Sequence, residues 1–147
     1  MDRKEFIKSC GAACLKGALL TTLLQSCRTS HVMNKTIVGS DLLVPLTDFQ
    51  YMKDNQIYYK KHIIIQNDNL QYPICVYRFN ETKYSALLMK CSHQGAELVV
   101  FGDKLECPAH GSEFSNMGVV QSAPADTNLR TFPVTIESNQ IKISLKA

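Results

Sequence analysis

Two short segments carry the side chains best suited to hold a metal: Cys91-Ser92-His93 and Cys107-Pro108-Ala109-His110. Each supplies one thiol and one imidazole, donors that suit soft and borderline transition metals. A cysteine and a histidine one or two residues apart in a tight turn can reach two metal ions lying a few ångströms apart. Two such turns facing each other then clamp the pair from both sides. Gly95 and Gly111 follow closely and permit positive-φ turns that bring N–H groups near a bound centre. Pro108 stiffens the second loop. On spacing alone two other readings stay open. One is a pair of buried free cysteines and a pair of ordinary histidines in a β protein. The other is a structural zinc site, although zinc usually takes cysteines paired at C-x₂₋₄-C and histidines paired at H-x₃₋₅-H, whereas here each pair is mixed.

Such loops need a rigid frame, and the chain after residue 30 reads as strands. Thr36–Val38, Leu42–Leu46, His62–Gln66, Ile74–Phe79 and Ser85–Lys90 are rich in β-branched and apolar residues and are separated by polar turn clusters. Glu97–Phe101 and Lys104–Cys107 flank Gly102-Asp103, a hairpin signal lying between the two ligand loops. Val119-Val120 suggests a short strand, and Leu129–Glu137 and Gln140–Leu145 close the chain as a hairpin around Ser138-Asn139. No segment there has a helical period. The expected fold class is all-β, and 147 residues suffice for one domain with one core.

The pattern C-x-H … C-x-x-H, followed by Gln94-Gly95-Ala96 and by Gly111-Ser112-Glu113-Phe114, resembles the Rieske family over roughly residues 36–146. That resemblance implies an antiparallel β sandwich or barrel interrupted by a cluster-binding subdomain at about 91–126. It implies one [2Fe–2S] cluster per chain, with Cys91 and Cys107 on one iron and His93 and His110 on the other. Ser112 matches a serine whose hydroxyl bonds a bridging sulfide in high-potential members. Phe114 stands where those members have a tyrosine bonded to a cysteine sulfur. Quinol-oxidising members brace the two loops with a disulfide, and here both of its positions are alanine, Ala96 and Ala109. The likeness is therefore to the Rieske ferredoxin branch. Ser122-Ala123-Pro124-Ala125 resembles the family's proline loop, which covers the cluster from a third side.

The resemblance implies a one-electron carrier. Two ferric ions, two sulfides and two thiolates sum to zero charge with neutral histidines, so an electron enters more easily than at four thiolates. The potential rises from about −400 mV in plant-type ferredoxins to a window of about −150 to +300 mV; keeping Ser112 while lacking the tyrosine points to its middle. His93 and His110 are expected at the exposed tip, where the electron enters and leaves and where protonation of a free ring nitrogen couples to it. The partners implied are redox donor and acceptor proteins. Alternatives are an electron-transfer subunit of a larger quinol-oxidising or oxidoreductase complex, separated by co-purification, and a non-redox zinc-binding structural module, separated by colour and paramagnetism. Oxygenase chemistry needs a mononuclear iron on two further histidines and a carboxylate, and only His31 and His62 remain. Both read as surface residues.

The N-terminus reads as an export signal over residues 1–26. Met1 to Lys8 form a basic n-region, and residues 9–24 are mostly small and apolar, interrupted by Lys16. No run reaches the roughly 18 apolar residues of a spanning helix. Leu24-Gln25-Ser26-Cys27 resembles the lipobox of bacterial lipoproteins, which implies cleavage before Cys27 and lipidation of its thiol. Two acyl chains suffice for stable anchoring. Residues 27–35 then form the lipidated cysteine and a tether, and the domain faces the periplasm or cell exterior of a bacterial envelope. Arg3-Lys4 resembles a twin-arginine signal with lysine at its second position, so folded export and general secretion are both open. Residues 1–26 hold four of the 16 Lys and Arg and two of the 13 Asp and Glu, so the remainder carries 12 against 11. A nearly neutral domain gives no reason for a nucleic-acid partner. Cys10 and Cys14 fall in the signal, which leaves Cys75 as a core cysteine and no disulfide framework.

Overall fold

Ile63-Ile64-Ile65 and Ile74-Cys75-Val76-Tyr77 are unbroken apolar runs, and a strand of that kind is stable only with both faces covered. The computed structural model, which describes residues 32–146, covers them both. The chain begins with β1 (Val32–Asn34), β2 (Ile37–Val38), β3 (Asp41–Pro45) and a 3-10 turn at Leu46–Phe49. A hairpin follows, β4 (Gln50–Lys53) and β5 (Gln56–Tyr59), and then three longer strands: β6 (His62–Gln66), β7 (Ile74–Arg78) and β8 (Tyr84–Leu88). The inserted subdomain holds β9 (Val99–Phe101), β10 (Lys104–Glu106), β11 (Glu113–Ser115) and β12 (Val120–Ser122). The chain closes with β13 (Thr131–Phe132), β14 (Val134–Glu137) and β15 (Gln140–Ser144).

A central sheet in the order β1-β6-β7-β8-β13 lies between two outer ones, β14-β15-β3-β2 and β12-β11-β10-β9. Period-2 alternation assigns the side chains. Ile63 and Ile65 pair with Val76 and Ile74 and pack with Leu42, Val44, Ile141 and Ile143 in the basal core. Ile64 pairs with Cys75 and points the other way, joining Tyr77, Leu87, Leu105 and Phe114 under the subdomain. Burial pushes the Cys75 thiol up to about 12, partly offset by a hydrogen bond with Tyr77, so this cysteine packs as the small hydrophobe expected.

The all-β expectation holds, with local corrections. Val32–Asn34 is not irregular tether: it runs parallel to β6, Val32 opposite Ile64 and Asn34 opposite Gln66. Met33 packs on the basal core, the Lys35 N–H donates to the Gln66 carbonyl at 3.2 Å, and Asn67 Nδ2 donates to the Lys35 carbonyl at 2.7 Å. The strand expected at Leu129–Glu137 is broken at Pro133, which has no N–H for a ladder; Leu129 instead donates to the Gly118 carbonyl at 2.8 Å. Phe79, the last residue of the expected strand Ile74–Phe79, is 37% exposed beyond the end of β7. The expected export signal, the expected lipidation site Cys27 and His31 lie outside the described residues.

Gly118 closes the turn between β11 and β12 at φ +80°, and a Cβ there would stand 3.1 Å from Leu87 Cδ2. Left-handed backbone costs about 1–2 kcal/mol for an L-residue, and the contact with Leu87 adds to it. Gly118→Ala is therefore expected to lower unfolding stability by about 1–2 kcal/mol, read from urea midpoints.

Candidate metal centre

β8 runs out through Met89 and Lys90 to Cys91, and the first loop returns through an isolated bridge between Lys90 and Glu97. β9 and β10 then form the hairpin expected around Gly102, whose φ is +63°, and β10 delivers Cys107 to the second loop. The two loops are built alike. Cys91 N–H donates to the Ala96 carbonyl at 2.8 Å and Gly95 N–H to the Cys91 carbonyl at 2.9 Å. Cys107 N–H donates to the Ser112 carbonyl at 2.8 Å and Gly111 N–H to the Cys107 carbonyl at 2.9 Å. Gly95 and Gly111 adopt φ +76° and +77°, the left-handed turn that only glycine takes without strain. The same frame thus carries its histidine one position later in the second loop.

The sequence-selected donors stand here as two pairs, the two cysteines together and the two histidines together. The sulfurs are almost withdrawn from water, Cys91 at 1% and Cys107 at 3% exposure. The rings of His93 and His110 lie 5.2 Å apart between centroids at 82°; His93 is half-buried and His110 exposed. Burial works against a charged Cys107 thiol. The backbone N–H groups of Ala109 and His110 and the neighbouring Cys91 thiol outweigh it and hold its pKa below the ordinary cysteine value, which favours the thiolate a metal needs. His93 Nδ1 is buried with no hydrogen-bond partner, a costly state for a polar atom unless something else occupies its lone pair. A metal ion would. The donor chemistry and this orphaned nitrogen both fit the expected group.

A third segment locks the loops. Ala125 N–H donates to Ser112 Oγ at 3.0 Å, and Ser112 is fully buried. Glu113 N–H donates to Ser122 Oγ at 3.1 Å, Ser122 Oγ donates to the Gly111 carbonyl at 3.4 Å, and Ser92 Oγ donates to the Thr127 carbonyl at 2.7 Å. Residues 122–127 therefore tie to both loops, at the place where Ala96 and Ala109 leave no disulfide. Sequence reasoning singled out Ser112 and the Pro124 loop. It gave no role to Ser92 or Thr127, whose bond spans 35 positions with no local pattern to announce it. His62 is not at this centre: it is half-buried at the start of β6, its ring 5.6 Å from that of Tyr77.

A family model described as the Rieske [2Fe-2S] domain matches residues 47–133. Among solved structures the chain is similar to the cyanobacterial plasma membrane Rieske protein PetC3 from Synechocystis PCC 6803. Identity there is 28%, covering 57% of this chain and 86% of that one with a TM-score of 0.50. It is also similar to a ferredoxin of Sphingomonas yanoikuyae B1, at 25% identity, 57% and 84% coverage and a TM-score of 0.45. Comparison with curated protein sequences gives no match. The chain belongs to the Rieske [2Fe–2S] domain family. It is accordingly an electron carrier that binds one [2Fe–2S] cluster per chain.

Proposed function

We propose that Cys91 and Cys107 bind one iron and His93 and His110 the other, and that the chain is a membrane-tethered one-electron carrier working outside the cytoplasm. The observation that carries the ligand assignment is the orphaned Nδ1 of His93 beside a buried cysteine pair on two loops of one design. When bound, the cluster supplies reversible one-electron chemistry at the raised potential that histidine ligation gives. The residues do the rest. Cys91 and Cys107 are kept from water, and the N–H groups of Ala109 and His110 favour the thiolate of Cys107. His110 is exposed and presents the conjugated edge through which a docked partner exchanges the electron. The rim beside it is Pro108, Ala109 and Gly111, all exposed, small enough for close approach. Tethering rests on the lipobox-like Leu24-Gln25-Ser26-Cys27. No helix among the described residues is long and apolar enough to cross a membrane.

The deciding measurement is iron, sulfide and zinc content of the purified chain, with paramagnetic resonance after dithionite reduction. Two irons and two sulfides with a Rieske signal of low average g support the reading; zinc without a signal, in protein made with competent cluster assembly, overturns it. Mass spectrometry of the mature N-terminus tests the lipid on Cys27.

Ser112 Oγ accepts from Ala125 and still has its proton to donate, the disposition a hydrogen bond to a bridging sulfide requires. Such a bond stabilises the added electron. Ser112→Ala is expected to keep the cluster and lower its potential by about 60 mV, the one-electron equivalent of about 1.4 kcal/mol. An unchanged potential in a redox titration would remove this role.

A further inference from the structure

Among the described residues the β4–β5 hairpin pairs with no other sheet, and its strands are exposed along most of their length. Its register sets Met52 against Ile57 and Tyr51 against Tyr58, so alternation places one pair on each face. Met52 is 64% exposed and Ile57 57%, and Tyr51, Tyr58 and Tyr59 are exposed as well. Apolar side chains held in water on both faces of a two-stranded ribbon do little for its own folding, and such a patch marks an interaction site. The ribbon is nevertheless held in place. Asp54 and Asn55 turn its tip at φ 50° and 59°, the Lys60 N–H donates to the Phe49 carbonyl at 2.7 Å, and Arg78 sits 4.1 Å above the Tyr59 ring. Lys53 stands among the apolar residues, whereas Lys60 Nζ donates to the Asp48 carbonyl at 3.0 Å and Lys61 pairs with Asp103 at 3.2 Å. Tyrosine at a polar boundary, aliphatic side chains beyond it and a lysine reaching for phosphate are the chemistry of a lipid headgroup surface.

The topology says which end of the domain this is. β5 leads straight into β6, so the hairpin stands at the His62 end of the central sheet. β1 runs parallel to β6 from Val32 opposite Ile64 to Asn34 opposite Gln66, so the chain enters β1 from that same end. The metal centre lies at the other end: Tyr84 pairs with Arg78 and Leu88 with Ile74, and Cys91 follows β8. From Tyr84 to Cys91 is seven residues, roughly 23 Å of extended chain. Cys27 stands five residues before Val32, a span of at most about 18 Å. A lipid there reaches the hairpin end of the domain, the end from which the chain enters β1.

We propose that the β4–β5 hairpin is the domain's membrane-contacting edge. It seats on an anionic phospholipid surface through the face bearing Met52 and Ile57, with Lys53 beside the tip reaching the headgroups, and holds His93 and His110 on the side away from the bilayer. The proposal rests on the lipid-anchor reading given above and extends it. The redox partner then approaches from water, as a soluble protein or an extramembrane domain, and a quinol inside the bilayer is out of reach.

The test uses the full lipidated chain in vesicles of phosphatidylethanolamine and phosphatidylglycerol, with a fluorophore on Met52→Cys or on Gln94→Cys beside His93. The expected result is co-flotation with the vesicles and quenching by nitroxide lipids several-fold stronger at position 52 than at position 94. Adding Ile57→Asp should bring position 52 down to the level of position 94 while flotation and the cluster spectrum persist. A chain that floats with both positions equally unquenched overturns the docking edge and leaves the anchor standing. A chain that does not float overturns both. Crosslinking of position 52 between two copies, without quenching, would assign the hairpin to a second copy of the chain and overturn the membrane contact.

Discussion

His110→Ala is expected to yield folded protein with no [2Fe–2S] cluster, its iron and sulfide falling from two each per chain to background. The loss should be complete, because an iron on the histidine side would keep one protein donor of two. His110 is exposed, so the vacancy opens to water, which competes for the metal and hydrolyses the bridging sulfides. The chain should still fold, since the basal core of Leu42, Val44, Ile63, Ile65, Ile141 and Ile143 is made without any ligand loop. Far-ultraviolet dichroism then stays β-like while visible absorption and the reduced-state resonance disappear. His62→Ala, at the far end of β6, is the matched control and should keep both signals. Unchanged cluster spectra in the His110 variant would sink the ligand assignment.

Legibility in the sequence followed the range of the interactions. β6 and β7 were readable because Ile63-Ile64-Ile65 and Ile74-Cys75-Val76-Tyr77 are long apolar runs, although a run alone does not say that two different layers cover its faces. The ligand loops were readable because donors, glycines and proline all lie within a few residues of one another. What binds those loops together was not: Ser92 bonds Thr127 across 35 positions, and nothing local at either residue announces the other. Two tight turns make the same point. Ser138-Asn139 and Asp54-Asn55 both adopt left-handed φ, yet only the first stood out, because β15 beside it alternates buried Ile141 and Ile143 with more exposed neighbours. The strands around Asp54-Asn55 are exposed along most of their length and carry no inside-outside pattern to read. β1 escaped for a related reason, since an edge strand of three residues is specified by the β6 edge it adds to and not by its own composition.

Phe114→Ala should separate the stability of the subdomain from that of the base. Phe114 is fully buried and stands directly opposite Leu105 in the β10–β11 ladder, in a core shared with Cys91, Cys107, Leu98 and Met89. Replacing a buried phenylalanine by alanine costs about 3–5 kcal/mol through lost burial and the cavity left behind, a large share of the about 5–15 kcal/mol that holds an ordinary domain. The second ligand loop spans the gap between β10 and β11, so a loosened Leu105–Phe114 contact frees both ends of the loop bearing Cys107 and His110. Without a disulfide between Ala96 and Ala109, the restraints left include each loop's own backbone hydrogen bonds and those to residues 122–127, each worth about 1 kcal/mol net. The expected outcome is a urea midpoint lowered by the equivalent of about 4 kcal/mol and loss of the cluster colour at lower urea than loss of the β-type dichroism. Phe114→Leu, which keeps most of the volume, should cost less than half as much. A cost below about 1 kcal/mol for the alanine variant, within the range of an ordinary surface substitution, would mean that the ligand loops are held by their hydrogen bonds and the cluster rather than by this core.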